Sequence, residues 1–182
     1  MRKGLDLPLI ASVLALGAIS LLTIFAANRT LALDQTVFWI LGLAILYMAS
    51  HVHYENWQKL ALPFYLLSVV ALFSVFPLGE SVRGAVRWID LGVFRFQPSE
   101  IAKVATILLL GIFFLKRSAA EIKNVLLSLL IVLPVFTLIF IEPDIGSSGA
   151  IVAIWLSLTF ASGVKKQHLT LLIFVLALLA NS

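Results

Sequence analysis

A chain of 182 residues could form one soluble domain, but soluble domains average about 45–50% apolar and about 25% charged residues, whereas here the figures are 62% and 12%. That balance excludes an ordinary water-soluble core and predicts an all-α, polytopic integral membrane protein, with residues 1–182 as a single membrane domain. The net charge of +4 implies no nucleic-acid partner, because the basic residues fall in short tracts between apolar runs, where orientation in a bilayer accounts for them. The absence of cysteine excludes disulfides and thiolate metal sites.

Arg2 and Lys3 precede an apolar run from Leu7 to Ala27, too long for the core of a signal peptide, so it reads as an uncleaved first span. Further spans are expected near 37–54, 60–76, 99–115, 122–142 and 146–162, which makes six complete crossings. A seventh run opens at Leu169 and reaches Ala180, and the chain stops at Ser182 before a full crossing, so the sequence reads as the front portion of a longer protein. With a cytoplasmic N-terminus, the inner basic set is Arg2, Lys3, Lys59, Lys116, Arg117, Lys123, Lys165 and Lys166, and the outer set is Arg29, Arg83, Arg87 and Arg95. Eight against four favours that orientation.

Three of the four outer arginines fall in the longest connection, from Pro77 to Pro98, against the usual charge bias. Trp88, Ile89, Leu91, Val93, Phe94 and Phe96 give this segment enough apolar surface to lie along the outer interface. Arg87 and Arg95, beside Trp88, suit an anionic lipid head, because a guanidinium offers a planar fork of donors that matches phosphate oxygens. The competing reading pairs them with Asp90 or Glu80 and leaves Trp88 as an interfacial anchor.

Glu100 and Lys103 enter the fourth span three residues apart, on one helix face and within pairing distance. Ten Leu, Ile, Val or Phe between Ile101 and Leu115 offset the insertion cost of one Lys, about 2.5–3.5 kcal/mol at mid-bilayer. Such a face is expected to line a cavity; the alternative is an ion pair that joins two helices. In IEPDIGSSG, residues 141–149, Pro143 disfavours helix for Glu142, and Asp144 is placed to cap the next helix. The Asp144 carboxylate could equally accept from a sugar hydroxyl, ligate a divalent cation or answer an arginine; no cofactor-binding motif is present. HVHYE, residues 51–55, reads as a wet span end and not as a metal site.

GAVRWIDLG followed by FRFQPSEIAK, and later EPDIGSS, resembles the SEDS family, the RodA/FtsW/SpoVE group of polytopic peptidoglycan polymerases, and leans toward its rod-shape branch. The resemblance runs from the first span to the stub of the seventh. It implies ten spans in a bacterial plasma membrane, and transfer of glycosyl units from lipid II, an undecaprenyl-pyrophosphate-linked substrate, onto a growing glycan in cell elongation or division. It implies a class B penicillin-binding protein as partner. By position, Arg87, Trp88 and Arg95 would fall in the first large outer loop, Glu100 and Lys103 on the central cavity, and Asp144 in the PDxG motif, all as substrate-binding residues.

Two other readings share these residues: a lipid II translocase, which an intramembrane Glu/Lys pair would also suit, and a non-catalytic platform for a penicillin-binding protein. In the family, the aspartate assigned as general base follows the seventh span, and a base must reach the proton it removes. No catalytic residue is therefore assigned here, and the 182-residue chain alone is expected to be inactive. A glycan-polymerisation assay on the purified chain should show no turnover of lipid II, and measurable polymer would refute this.

Overall fold

The computed structural model describes residues 6–82, 85–92, 94–165 and 167. The expected seventh span lies outside these, as do Arg2, Lys3, Arg83 and Lys166. In chain order the elements are α1 Leu7–Ala27, α2 Arg29–His51, α3 Tyr54–Leu78, β1 Glu80–Val82, β2 Ala85–Asp90, β3 Arg95–Phe96, α4 Pro98–Lys116, α5 Ile122–Ile141 and α6 Ile145–Ala161. They fall into two compact units that divide between His53 and Tyr54.

The first unit is α1 packed on α2. A single residue, Asn28, separates them, and its side-chain oxygen accepts from the backbone N–H groups of Thr30 at 2.9 Å and Leu31 at 3.3 Å. With its first donors satisfied, α2 begins at Arg29 and not near residue 37 as hydropathy alone suggests. Gly17, the buried residue of α1, meets the Trp39 ring so closely that any Cβ there would overlap it. Only glycine permits this approach.

In the second unit α3 packs most extensively on α4, and α4 and α5 both pack on α6. The contact face of α4 is made of small residues, with Ser99, Ala102, Ala105 and Thr106 all fully buried, so neighbouring backbones come close. Leu72, Val75, Leu110, Val125, Val135, Ile139 and Ile151 complete a dry centre. Leu66, Val70 and Phe73 of α3 and Leu130, Leu133 and Phe140 of α5 point outward, as lipid-facing positions do.

Among the described residues, five helices are long and apolar enough to cross a bilayer: α1, α2, α3, α4 and α5. The 17-residue α6 is apolar but shorter, at about 26 Å for 1.5 Å per residue. α3 starts at Tyr54, ahead of the expected residue 60, because its polar first turn continues the helix beyond the apolar core.

The spans are helical as expected, and the connection from Pro77 to Pro98, expected only to lie along the outer interface, forms a three-stranded antiparallel sheet in the order β1-β2-β3. Asp90 opposes Arg95 and Ile89 opposes Phe96. The turn between these strands uses Gly92 at φ +78°, a region that favours glycine. There the Asp90 carboxylate accepts from the Gly92 N–H at 2.7 Å, and the Leu91 N–H donates to the Phe94 carbonyl at 3.1 Å.

Two buried polar links tie α5 to its neighbours. Trp155 on α6 donates its indole N–H to Ser128 Oγ at 2.7 Å, and Ser128 donates to the Val125 carbonyl at 2.6 Å. Tyr65 on α3 donates to the Ile131 carbonyl at 2.6 Å, in the turn of α5 that Pro134 interrupts. Interhelical bonds in membranes average about 0.6 kcal/mol and reach about 1.7. Ser128→Ala strands the buried Trp155 N–H, so it should lower stability toward the upper end of that range in reversible unfolding of the chain in bicelles. An unchanged unfolding free energy would mean that this bond contributes nothing.

Candidate functional site

The polar residues converge where the sheet meets the start of α4 and the turn between α5 and α6. Strand β2 presents successive side chains to opposite faces, so Arg87 and Ile89 share one face while Trp88 and Asp90 share the other. Arg87 reaches the α5–α6 turn. Its Nε donates to the Glu142 carbonyl at 3.3 Å, its Nη2 donates to the Pro143 carbonyl, and its Nη1 lies 3.8 Å from Asp144 Oδ1.

Asp144 caps α6, accepting from the Ser147 N–H at 3.1 Å through Oδ1, while Oδ2 accepts from Gln97 Nε2 at 3.2 Å. The cap and the arginine partner anticipated from sequence are both present, on one carboxylate. Burial alone would raise the Asp144 pKa, but the Ser147 hydrogen bonds and the charges of Arg87 and Lys103 outweigh it and hold the group below its ordinary value. Lys103 itself pairs with Glu100. Its Nζ donates to Glu100 Oε1 at 2.8 Å, the expected i,i+3 pair, with Glu100 largely exposed and Lys103 mostly covered. Both lie in the first two turns of α4, nearer the end of the span than its middle.

The structure separates the two arginines that the sequence grouped. Arg95 pairs with Asp90 at 3.8 Å on the sheet face opposite Arg87, and both partners are substantially exposed. Trp88, on the same side as Asp90, is half-buried.

Two site residues escaped the sequence reading. Gln97 was legible only as the residue before Pro98, although an amide at the N-cap position of α4 is a recognisable polar signal. Glu142 was treated only as a residue made non-helical by its proline. It is 3% exposed, and neither carboxylate oxygen has a hydrogen-bond partner among the described residues. Burial first, and then the Asp144 charge, push its pKa up to about 7, against the opposing pull of Arg87. An acid beside a proline in so apolar a chain was the available clue.

The two cations of the site are each matched by a carboxylate, Arg87 by Asp144 and Lys103 by Glu100, so what remains for an anion is their surplus N–H donors. A guanidinium carries five N–H donors and an ammonium three, and those of Arg87 and Lys103 are only partly used by the contacts above. Among the described residues no three His, Asp or Glu side chains gather into a metal-binding group. Nδ1 of His51 lies 2.8 Å from the carbonyl oxygen of Tyr47 in its own helix.

The family model described as "Cell cycle protein", FtsW/RodA/SpoVE, matches residues 5–181. A probable peptidoglycan glycosyltransferase FtsW of Haemophilus ducreyi is 31% identical over 146 residues, covering 78% of this chain and 36% of the relative. Peptidoglycan glycosyltransferase MrdB of Escherichia coli is 30% identical over 142 residues, covering 75% of this chain and 37% of the relative. Among solved structures, one of a peptidoglycan synthase complex that coordinates polymerization and crosslinking superposes with a TM-score of 0.86 at 30% identity, covering 96% of this chain and 53% of that one. The rod shape determining protein RodA of Thermus thermophilus superposes with a TM-score of 0.84 at 30% identity, covering 96% and 59%. The chain spans about a third to a half of the length of the curated relatives it matches. A match across almost all of its residues, together with the superposed fold, establishes that this chain belongs to the FtsW/RodA/SpoVE family of membrane proteins.

Proposed function

We propose that this chain supplies the substrate-receiving half of a peptidoglycan glycosyltransferase that polymerises lipid II at the outer face of the bacterial plasma membrane, with its N-terminus in the cytoplasm. The observation that carries the reading is the junction of Arg87, Gln97 and Asp144, with the Glu100–Lys103 pair in the first two turns of α4 at the same end of the spans. Relatives named as peptidoglycan glycosyltransferases supply the reaction class, and the surplus of basic residues on the opposite side supplies the orientation.

In this reading Arg87 and Lys103 hold the pyrophosphate with the donors left over from their internal contacts, while Asp144 and Gln97 keep Arg87 aimed. Glu100 sets the position of the Lys103 ammonium and accepts from a sugar hydroxyl. Trp88 and Arg95, on the sheet's other face, meet the headgroup layer and the outer part of the substrate. A class B penicillin-binding protein crosslinks the product; the synthase complex that superposes on this chain supports such a partner. A polymerase is favoured over a translocase because the Glu100–Lys103 pair lies near one end of α4, where it serves a head held at the surface, and not midway through the bilayer.

Charge-assisted hydrogen bonds contribute about 1.5–3 kcal/mol, or about 10- to 100-fold in affinity. Arg87→Ala should weaken binding of fluorescent lipid II to the purified chain by that factor, with Arg87→Lys restoring it only in part. Arg95→Ala should weaken binding less and leave thermal stability unchanged, because its exposed pair contributes little to the fold. Unaltered affinity in both alanine variants would remove the phosphate-reading role.

Glu142 adds a pH dependence. Below about pH 7 its carboxyl is neutral; above it, a second negative charge develops beside Asp144 and opposes an anionic ligand. Lipid II affinity should fall as pH rises through about 7, and Glu142→Gln should keep the low-pH affinity throughout. A wild-type titration as flat as that of the glutamine variant would exclude Glu142 as the responsible group.

A further inference from the structure

At the opposite end of α4 from the sheet, the turn into α5 forms a second polar cavity of about 470 Å³, lined by Lys116, Arg117, Ser118, Glu121, Lys123 and Asn124, with Leu127 as its apolar side. Three cations and one carboxylate leave it with a net charge of +2. None of the three cations pairs with a carboxylate among the described residues. The only ion pairs found there are Arg87–Asp144, Arg95–Asp90 and Lys103–Glu100.

The backbone adds donors. Glu121 precedes α5 without a side-chain cap. Its carbonyl accepts from Asn124 and Val125 at 3.0 and 3.4 Å, so the first N–H groups of the helix, those of Ile122 and Lys123, remain open to a ligand. Asn124 braces the turn by donating to the Ser118 carbonyl at 2.9 Å, and Arg117 stacks on Phe113 with its guanidinium carbon 5.1 Å from the ring centroid. Arg117 is thereby held in place, while Lys116 and Lys123 stand exposed at the mouth of the cavity.

The geometry points to this cavity as a binding site for the phosphate of an anionic phospholipid in the leaflet opposite the sheet. The chemistry is phosphate recognition by two ammonium groups, a guanidinium and helix N–H groups. The lipid source follows from depth. Lys116 ends the 19-residue α4, about 28 Å long, and Arg117 directly follows it, which places both at headgroup level, and Leu127 offers the acyl-chain side of the cavity an apolar wall. A purely topogenic role asks only that charges lie on one side of the membrane; it does not require them to share a cavity with uncapped backbone donors. This site is independent of the reading of the opposite face.

The test is native mass spectrometry of the purified chain from nanodiscs of phosphatidylcholine with and without phosphatidylglycerol, alongside thermal unfolding with added inorganic phosphate. Wild type should retain one phosphatidylglycerol in preference to phosphatidylcholine. Arg117→Gln should weaken retention about fivefold and the Lys116→Gln/Arg117→Gln/Lys123→Gln variant about a hundredfold. Lys59→Gln, on the same side of the second unit but outside the cavity, should leave retention unchanged. Equal retention by wild type and the triple variant, or an equal loss in Lys59→Gln and Arg117→Gln, would overturn the site. Stabilisation by inorganic phosphate in phosphatidylcholine discs that matches that by phosphatidylglycerol would assign the ligand to the aqueous pool and overturn the lipid source.

Discussion

The contact of Arg87 with the α5–α6 turn joins two parts of the chain some 55 residues apart in sequence, and the rest of the polar end is arranged around it. Three polar atoms of one side chain address Glu142, Pro143 and Asp144. The sheet is thereby held over the helix ends, and the carboxylate of Asp144 is shared among a helix terminus, an amide and a guanidinium. Without that arginine, Asp144 would remain as a buried acceptor with a weaker set of donors, and β2 would keep its contacts with α3 and α4 but lose its side-chain tie to the α5–α6 turn. Sharing one acid among several donors keeps it ionised despite burial.

The apolar middle of the second unit follows a different constraint. Lipid gives no hydrophobic reward for pressing helices together, so close approach and a few buried hydrogen bonds decide which faces meet. Serine, alanine and threonine on α4 provide the approach. The links from Tyr65 and Trp155 to α5 provide direction, each running from a bulky side chain to a helix position that can accept it. Gly17 against Trp39 solves the same problem in the first unit with the smallest residue facing the largest.

Much of this was legible in the chain. Long apolar runs announced the helices, because backbone groups in hydrocarbon must be satisfied within the segment. The i,i+3 spacing of Glu100 and Lys103 announced their pair, and Asp144 after a proline announced a helix start. Helix beginnings were less legible where a polar turn continues a span, as at Tyr54, or where one capping residue replaces a loop, as at Asn28. The sheet was hidden by its brevity: AVRWID alternates, but six residues amid apolar spans carry little periodic signal. The segregation of Arg87 from Arg95 depended on strand register, which a count of arginines cannot express. Gln97 and Glu142 acquire meaning only through partners, or their absence, contributed by distant segments.

The brevity of α6 has a consequence for the membrane around it. A helix about 26 Å long falls a few ångströms short of a hydrocarbon layer of about 30 Å, a mismatch that membranes meet by local thinning or by flanking polar residues reaching outward. The mismatch falls on the same helix whose first residues are capped by Asp144. Any thinning there would bring the lipid surface down toward the polar end of the second unit, and the slope of the bilayer would become part of how that end is approached.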